Sequence, residues 1–217
     1  MGLRLHGHGR FRRWLGARFG HDEAWGDRLW RRLVHATGST VLLYYVVPGN
    51  FFVVAPKQDV LLGALAVALL LEALRHAVGL ELPTIRPYEE HRIASFVFYA
   101  IALAGAILLF PLPIAVAVVL GTAFVDPIAG GLRESESMRR LYPYLPFGVY
   151  AGLAFVGLGI IGRWSVGWAV PLALLAAAIG LAAEYPKSRW VDDDLAMTFA
   201  PALVLYGVGV IALQLPA

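Results

Sequence analysis

The chain contains no cysteine, which excludes disulfides and thiolate metal sites. Charge is scarce as well. Only 15% of the 217 residues are Asp, Glu, Lys or Arg, against 59% apolar residues, and the mean hydropathy is +0.68. A soluble core cannot absorb that balance. Lysine is almost missing, with Lys57 and Lys187 set against sixteen arginines; together with heavy Ala and Gly usage this fits a GC-rich prokaryotic genome. Strict alternation of apolar and polar residues is absent from the runs 61–71, 101–110 and 172–183, which excludes an outer-membrane barrel. No fixed-period repeat occurs, and the first thirty residues hold no apolar stretch long enough for a cleavable signal.

What is present is a series of long apolar runs. A helix needs roughly 20 apolar residues to cross a bilayer, and seven stretches supply them: 34–54, 59–80, 93–110, 112–132, 145–162, 166–184 and 195–214. The expected fold is therefore all-α and polytopic, with about seven transmembrane helices. Threading the chain this way puts sixteen of eighteen Lys and Arg on one face, leaving Lys57 and Arg163 for the other. Fourteen of fifteen Asp and Glu fall on that same face. Short Arg-rich connections stay cytoplasmic, so the N-terminus is expected inside and the C-terminus outside. The first span is interrupted by Pro48, Gly49 and Asn50; it is either a kinked span or a re-entrant piece.

Residues 1–32 form a basic, Trp-rich segment ahead of the membrane domain at 33–217. Trp25, Leu29, Trp30 and Leu33 fall on one helical face, with Arg28, Arg31 and Arg32 on the other, the pattern of an interfacial helix. Trp14 and Phe19 lie among Arg12, Arg13 and Arg18 in the same way. Each basic residue near an anionic leaflet contributes ~1 kcal/mol, so the expected partner is anionic lipid headgroups and not nucleic acid. His6 and His8 read as part of a solvated start.

Polar chemistry gathers in the inner connections, where a site acting on a lipid headgroup with a cytosolic partner would sit. Glu72 and Arg75 are one turn apart on a helix face; they form either a structural clamp or part of a site. Arg32 and His35 have the same spacing, followed by Gly38. Asp126 lies inside the fourth span beside Pro127, Gly130 and Gly131. That carboxylate has no sequence-local basic partner, and the Pro and Gly residues are expected to open the helix and free N–H groups toward phosphate oxygens. Glu184, Lys187 and Arg189 precede Asp192, Asp193 and Asp194. Three adjacent carboxylates repel unless solvent or a cation screens them, and Mg2+ is held by one or two carboxylates plus substrate phosphates. Arg86, Glu89, Glu90 and Arg92 make a further polar group.

Taken in order, Arg31-Arg32-Leu33-Val34-His35 with Gly38, Glu72-Ala73-Leu74-Arg75, Asp126-Pro127-Ile128-Ala129-Gly130, and Glu184-Tyr185-Pro186 followed by Asp192-Asp193-Asp194-Leu195 resemble the motifs of polyprenol, dolichol and phytol kinases and their CTP-dependent diacylglycerol kinase relatives. The resemblance implies transfer of a phosphoryl group from CTP to the hydroxyl of a polyprenol-type or glycerol lipid, with Mg2+. It implies roles for Asp126 and Asp193 in catalysis. The same likeness assigns Asp126, Asp192, Asp193, Asp194 and Glu184 to metal, and Arg32, His35, Arg75 and Gly130 to phosphate. The Lys-Ser/Thr-x-Glu-Gly stretch of that family is missing, since residues 140–148 carry neither Lys nor Glu. Arg139, Arg140 or Lys187 would have to substitute for its Lys. Asp194 also stands where the family has Asn. Two alternatives remain open: a cytidylyltransferase making a CDP-lipid, and a non-catalytic lipid-binding relative.

Overall fold

The computed structural model describes residues 23–49, 56–79, 89, 92–184 and 192–216. Among them every regular element is helical. Helix α1 (Glu23–Thr37) runs through a 3-10 segment, Gly38–Leu42, into the short α2 (Leu43–Val46). Then come α3 (Lys57–Val78), α4 (Ser95–Leu109), α5 (Leu112–Glu134), α6 (Tyr144–Phe155), α7 (Val166–Glu184) and α8 (Asp193–Leu205). Both α6 and α8 continue as π-helix, over Val156–Ile161 and Tyr206–Ala212. Among the described residues, five helical stretches are long and apolar enough to cross a membrane: Lys57–Val78, Leu112–Glu134, Tyr144–Ile161, Val166–Glu184 and Asp193–Ala212. Helix α4, at 15 residues, is shorter. The helical part of the expected first span ends at Val46, with Val47 extended ahead of Pro48. Asn50 and the rest of that span, the tail before Glu23 and the Lys187 and Arg189 connection lie outside the described residues.

Local chemistry sets the ends. Pro111 disfavours helix at the preceding residue; Phe110 is extended accordingly (φ −120°, ψ 150°), so α4 stops and α5 starts at once. Gly79 takes a left-handed conformation (φ 65°) and returns its N–H to the Arg75 carbonyl, closing α3 as glycine C-terminal caps do. Asp192 caps α8, its side chain accepting from the Asp194 N–H. Prolines inside the helices are tolerated. Pro127, Pro171 and Pro201 all lie within continuous helix, because neighbouring groups in a membrane bundle satisfy the freed carbonyl. The expected opening of the backbone around Pro127, Gly130 and Gly131 therefore does not occur, and α5 runs on to Glu134.

Helices α5, α6, α7 and α8 pack in succession, and α8 closes back on α5. Helix α4 lies against α8, α3 against α4, and α1 against α5. The core follows the inner faces of this ring, with Ile114, Val118, Val119, Val125, Leu158 and Leu205 fully buried. Tyr150 is its keystone. A Cβ on Gly121 would fall 2.4 Å from its ring and one on Gly180 would fall 2.6 Å away, so the ring lies directly on two glycine backbones. Its hydroxyl donates to the Met197 carbonyl at 3.2 Å. By contrast, α3 shows an exposed apolar face, including Val60, Leu62, Val67, Leu69 and Leu70, suited to hydrocarbon.

Close backbone approach also explains Gly157. A Cβ there would stand 2.7 Å from the Ala117 nitrogen and the Pro113 oxygen, neither of which can rotate away. Gly157→Ala gains about 0.4–1 kcal/mol by restricting the unfolded chain, but overpacking a filled contact costs about 1–3 kcal/mol. The substitution should therefore lower the melting temperature of the purified protein. Gly167→Ala, where nothing lies within 4 Å, should not.

Candidate functional site

At one end of the bundle three helices bring together residues far apart in sequence. His35 comes from the last turn of α1, Asp126 from α5, and Asp193 and Asp194 from the first turn of α8, with Asp192 as its cap. The His35 Nε2 atom lies 3.2 Å from Asp194 Oδ1 and 4.0 Å from Asp126 Oδ2. Ligand atoms of His35, Asp126 and Asp194 all fall within 4.8 Å of one another, as do those of Asp192, Asp193 and Asp194. Asp194 belongs to both groups. It is the most enclosed of the four carboxylates, with its side chain 8% exposed against 28% for Asp126.

The surrounding side chains hold these groups in place. The His35 imidazole stacks on Tyr99 from α4, with centroids 4.0 Å apart and planes 19° from parallel. The Tyr99 hydroxyl donates to the His35 carbonyl at 2.6 Å. Gly38 makes that approach possible, since a Cβ there would meet the phenol oxygen at 2.1 Å. One turn deeper along α5 and α8, the buried Thr122 and Thr198 hydroxyls are 2.9 Å apart, and Thr198 donates to the Asp194 carbonyl at 2.8 Å. This pair fixes the register between the helices that carry Asp126 and Asp194. On the other side, Ser95 Oγ lies 2.9 Å from Asp192 Oδ2 and 2.7 Å from Glu89 Oε1. Burial first, then the neighbouring Asp194 and Asp193 charges, hold the Asp192 carboxyl above the usual carboxylate range.

The remaining expected site residues lie outside the two ligand-distance groups, although the charge of Glu184 reaches Asp126 and Asp193. Arg32 donates to Glu134 at 2.6 Å, alongside Arg28 at 3.3 Å, tying α1 to the end of α5. Arg75 is engaged with Glu72 and with the Arg92 carbonyl. Arg139 and Arg140 sit exposed on a 3-10 turn. Gly130 faces open space and meets no close-approach requirement. Glu184, buried at the end of α7, pairs with Arg133, whose guanidinium lies 5.4 Å from the Tyr142 ring centroid; it belongs to neither ligand-distance group. Lys187 lies outside the described residues. Ser95, Tyr99, Thr122, Thr198 and Arg133 were not singled out by sequence. Only Ser95 carried a local signal, as a hydroxyl residue opening a helix after a charged loop.

Three carboxylates, Asp194, Asp126 and Asp193, act on the His35 imidazole, and Asp192 adjoins Asp193 and Asp194; these are the residues that could hold a cation. Asp126 and Asp194 together match what Mg2+ asks of a protein, one or two carboxylates with the other positions left to phosphate and water. An imidazole nitrogen in the same group would also suit Mn2+ or Zn2+. No family model matches the chain, and neither a curated protein nor a solved structure matches it.

Proposed function

We propose that this protein is a membrane lipid kinase, moving the γ-phosphoryl group of a nucleoside triphosphate, CTP by resemblance, onto the hydroxyl of a polyprenol-type or glycerol lipid. The observation that carries this reading is the convergence of His35, Asp126 and Asp192–Asp194. Three of the four motif segments that resemble lipid kinases, separated by most of the chain, meet within ligand distance. Seven spans with the N-terminus and this site on the cytoplasmic face, in a prokaryotic cell membrane, complete the proposal. It draws support from the arginine distribution and from the place of Asp192–Asp194 at the start of α8.

In the reaction the lipid hydroxyl oxygen forms a bond to the γ-phosphorus and the bond from that phosphorus to the β,γ-bridging oxygen breaks. Lipid phosphate and nucleoside diphosphate are the products. The hydroxyl proton passes to a carboxylate, for which Asp126, the more open member of the group, is the candidate. Mg2+, bound by Asp126, Asp194 and the neighbouring Asp193 or Asp192, would neutralise charge on the phosphates. His35, held by the Tyr99 stack and within reach of Asp194, orients that carboxylate. Arg139, Arg140 and Lys187 are candidates to meet the phosphates in place of the missing Lys, and Arg can do so in bidentate fashion. The exposed apolar face of α3 is the kind of surface along which a lipid tail would lie.

Purified protein in lipid nanodiscs, given Mg2+ and a pool of polyprenols and glycerolipids, should transfer label to the lipid fraction from γ-labelled CTP and not from α-labelled CTP. Label from the α position instead would make the protein a cytidylyltransferase. Silence with CTP, ATP and GTP alike would leave the non-catalytic reading.

A further inference from the structure

We infer that the buried Glu72–Arg75 pair is a latch that positions Ser95 and Glu89 against Asp192, and so sets the acidic group from α3. For its consequence on phosphoryl transfer this rests on the function proposed above; its geometry does not.

Helix α3 is the outlying helix of the bundle, yet two of its residues are buried, Glu72 at 7% and Arg75 at 6% exposure. Arg75 Nε donates to Glu72 Oε2 at 2.9 Å and Nη2 to Oε1 at 2.7 Å. The same Nη2 reaches the Arg92 carbonyl at 2.5 Å. Glu72 Oε1 also accepts the Ala94 N–H at 2.9 Å. Backbone on both sides of Ile93 is thus gripped by one ion pair. Ser95 follows immediately, and its hydroxyl, with one proton to donate, lies 2.7 Å from Glu89 Oε1 and 2.9 Å from Asp192 Oδ2. The Glu89 carbonyl accepts the Arg92 N–H at 3.1 Å, closing the loop on itself. Asp192 Oδ1 then accepts the Asp194 N–H at 3.2 Å. A chain of close polar contacts therefore runs from α3 to the first turn of α8.

Stability alone is a poor reason for such a pair. A buried ion pair roughly breaks even against well-packed apolar residues, and an ionised residue at mid-membrane carries an insertion cost of ~2.5–3.5 kcal/mol. What an apolar pair could not supply is a donor for the Arg92 carbonyl and an acceptor for the Ala94 N–H. Partners of ligating carboxylates affect metal affinity by about 10–100-fold when removed. His76, whose Nε2 lies 3.2 Å from Glu72 Oε1 and 3.0 Å from Arg75 Nη2, closes the pair on its exposed side.

The test is amide hydrogen exchange by mass spectrometry on the full chain in nanodiscs. In Arg75→Gln, peptides spanning 92–97 and 192–197 should both lose protection, while those of α6 and α7 keep theirs. Ser95→Ala should loosen 192–197 but leave the Ala94 amide protected, and the double variant should loosen 192–197 no further than either single change. In the transfer assay, Arg75→Gln should raise the Mg2+ concentration for half-maximal rate by about 10–100-fold. Protection lost at 92–97 with 192–197 unchanged would overturn the latch. Should α6 and α7 also lose protection in Arg75→Gln, the milder Glu72→Gln decides, and general loss there too would make the pair a fold element and overturn the proposal. Coupled loss in a protein that transfers no label would sustain the latch and remove the kinase reading.

Discussion

If the proposed lipid-kinase reaction is this protein's, Asp126→Asn should reduce γ-phosphoryl transfer by about three orders of magnitude, the scale on which phosphoryl-transfer enzymes lose rate when one charge-stabilising group is removed. The change is isosteric. It removes the carboxylate that lies 4.0 Å from His35 and shares the ligand group with Asp194, and it relieves repulsion among the acidic residues. Folding should accordingly be retained or slightly improved, and a melting curve run beside the label assay separates lost chemistry from lost structure. Asp194→Asn is the contrasting variant. The resembled kinases carry Asn at this position, and an amide oxygen still faces His35 and a cation, so the loss there should be smaller than in Asp126→Asn. Comparable transfer by Asp126→Asn and the parent protein would remove Asp126 from the reaction.

The largest effect on stability is expected at Tyr150. Truncating a fully buried aromatic to alanine costs about 3–5 kcal/mol, and this ring is the contact through which Gly121 of α5 and Gly180 of α7 meet. Tyr150→Ala should therefore lower the melting temperature sharply in detergent or nanodiscs, and a large share of the chain should fail to accumulate in the membrane. Tyr150→Phe keeps the ring and loses only the bond to the Met197 carbonyl. Interhelical hydrogen bonds in membranes average about 0.6 kcal/mol, so Phe should be nearly neutral. Equal losses in the two variants would mean that the hydroxyl and not the ring joins the helices.

Long apolar runs made the bundle legible in the sequence. The runs at 59–80, 112–132 and 166–184 correspond to helices Lys57–Val78, Leu112–Glu134 and Val166–Glu184, because hydrocarbon demands an unbroken stretch and charged residues mark its ends. Breakers were harder to read. Pro48 does follow the end of a helix, whereas Pro127 lies inside one, since a proline's effect depends on whether neighbours satisfy the carbonyl it frees. The site was legible to the extent that it is made of ionisable residues in apolar surroundings. His35, Asp126 and Asp192–Asp194 are costly wherever a membrane helix carries them, and cost is visible in sequence. Their supporting residues carry no such mark. Tyr99 under His35, Thr122 against Thr198 and Ser95 beside Asp192 owe their roles to which helix faces which, and hydropathy does not encode that. Glu72 and Arg75 were legible as important, but their partners, the Ala94 N–H for Glu72 and the Arg92 carbonyl for Arg75, are backbone atoms that any residue supplies.

The most direct measurement is crystallographic or cryo-EM location of the cation, using full-length protein in lipid with Mn2+ and a CTP analogue that cannot release its γ-phosphoryl group. The metal should appear between Asp126 and Asp194, with the analogue's phosphates completing its shell and His35 still stacked on Tyr99. A nucleotide bound elsewhere, or this pocket closed on its own carboxylates with neither metal nor phosphate at saturating ligand, would contradict the assignment of these residues as one phosphoryl-transfer centre.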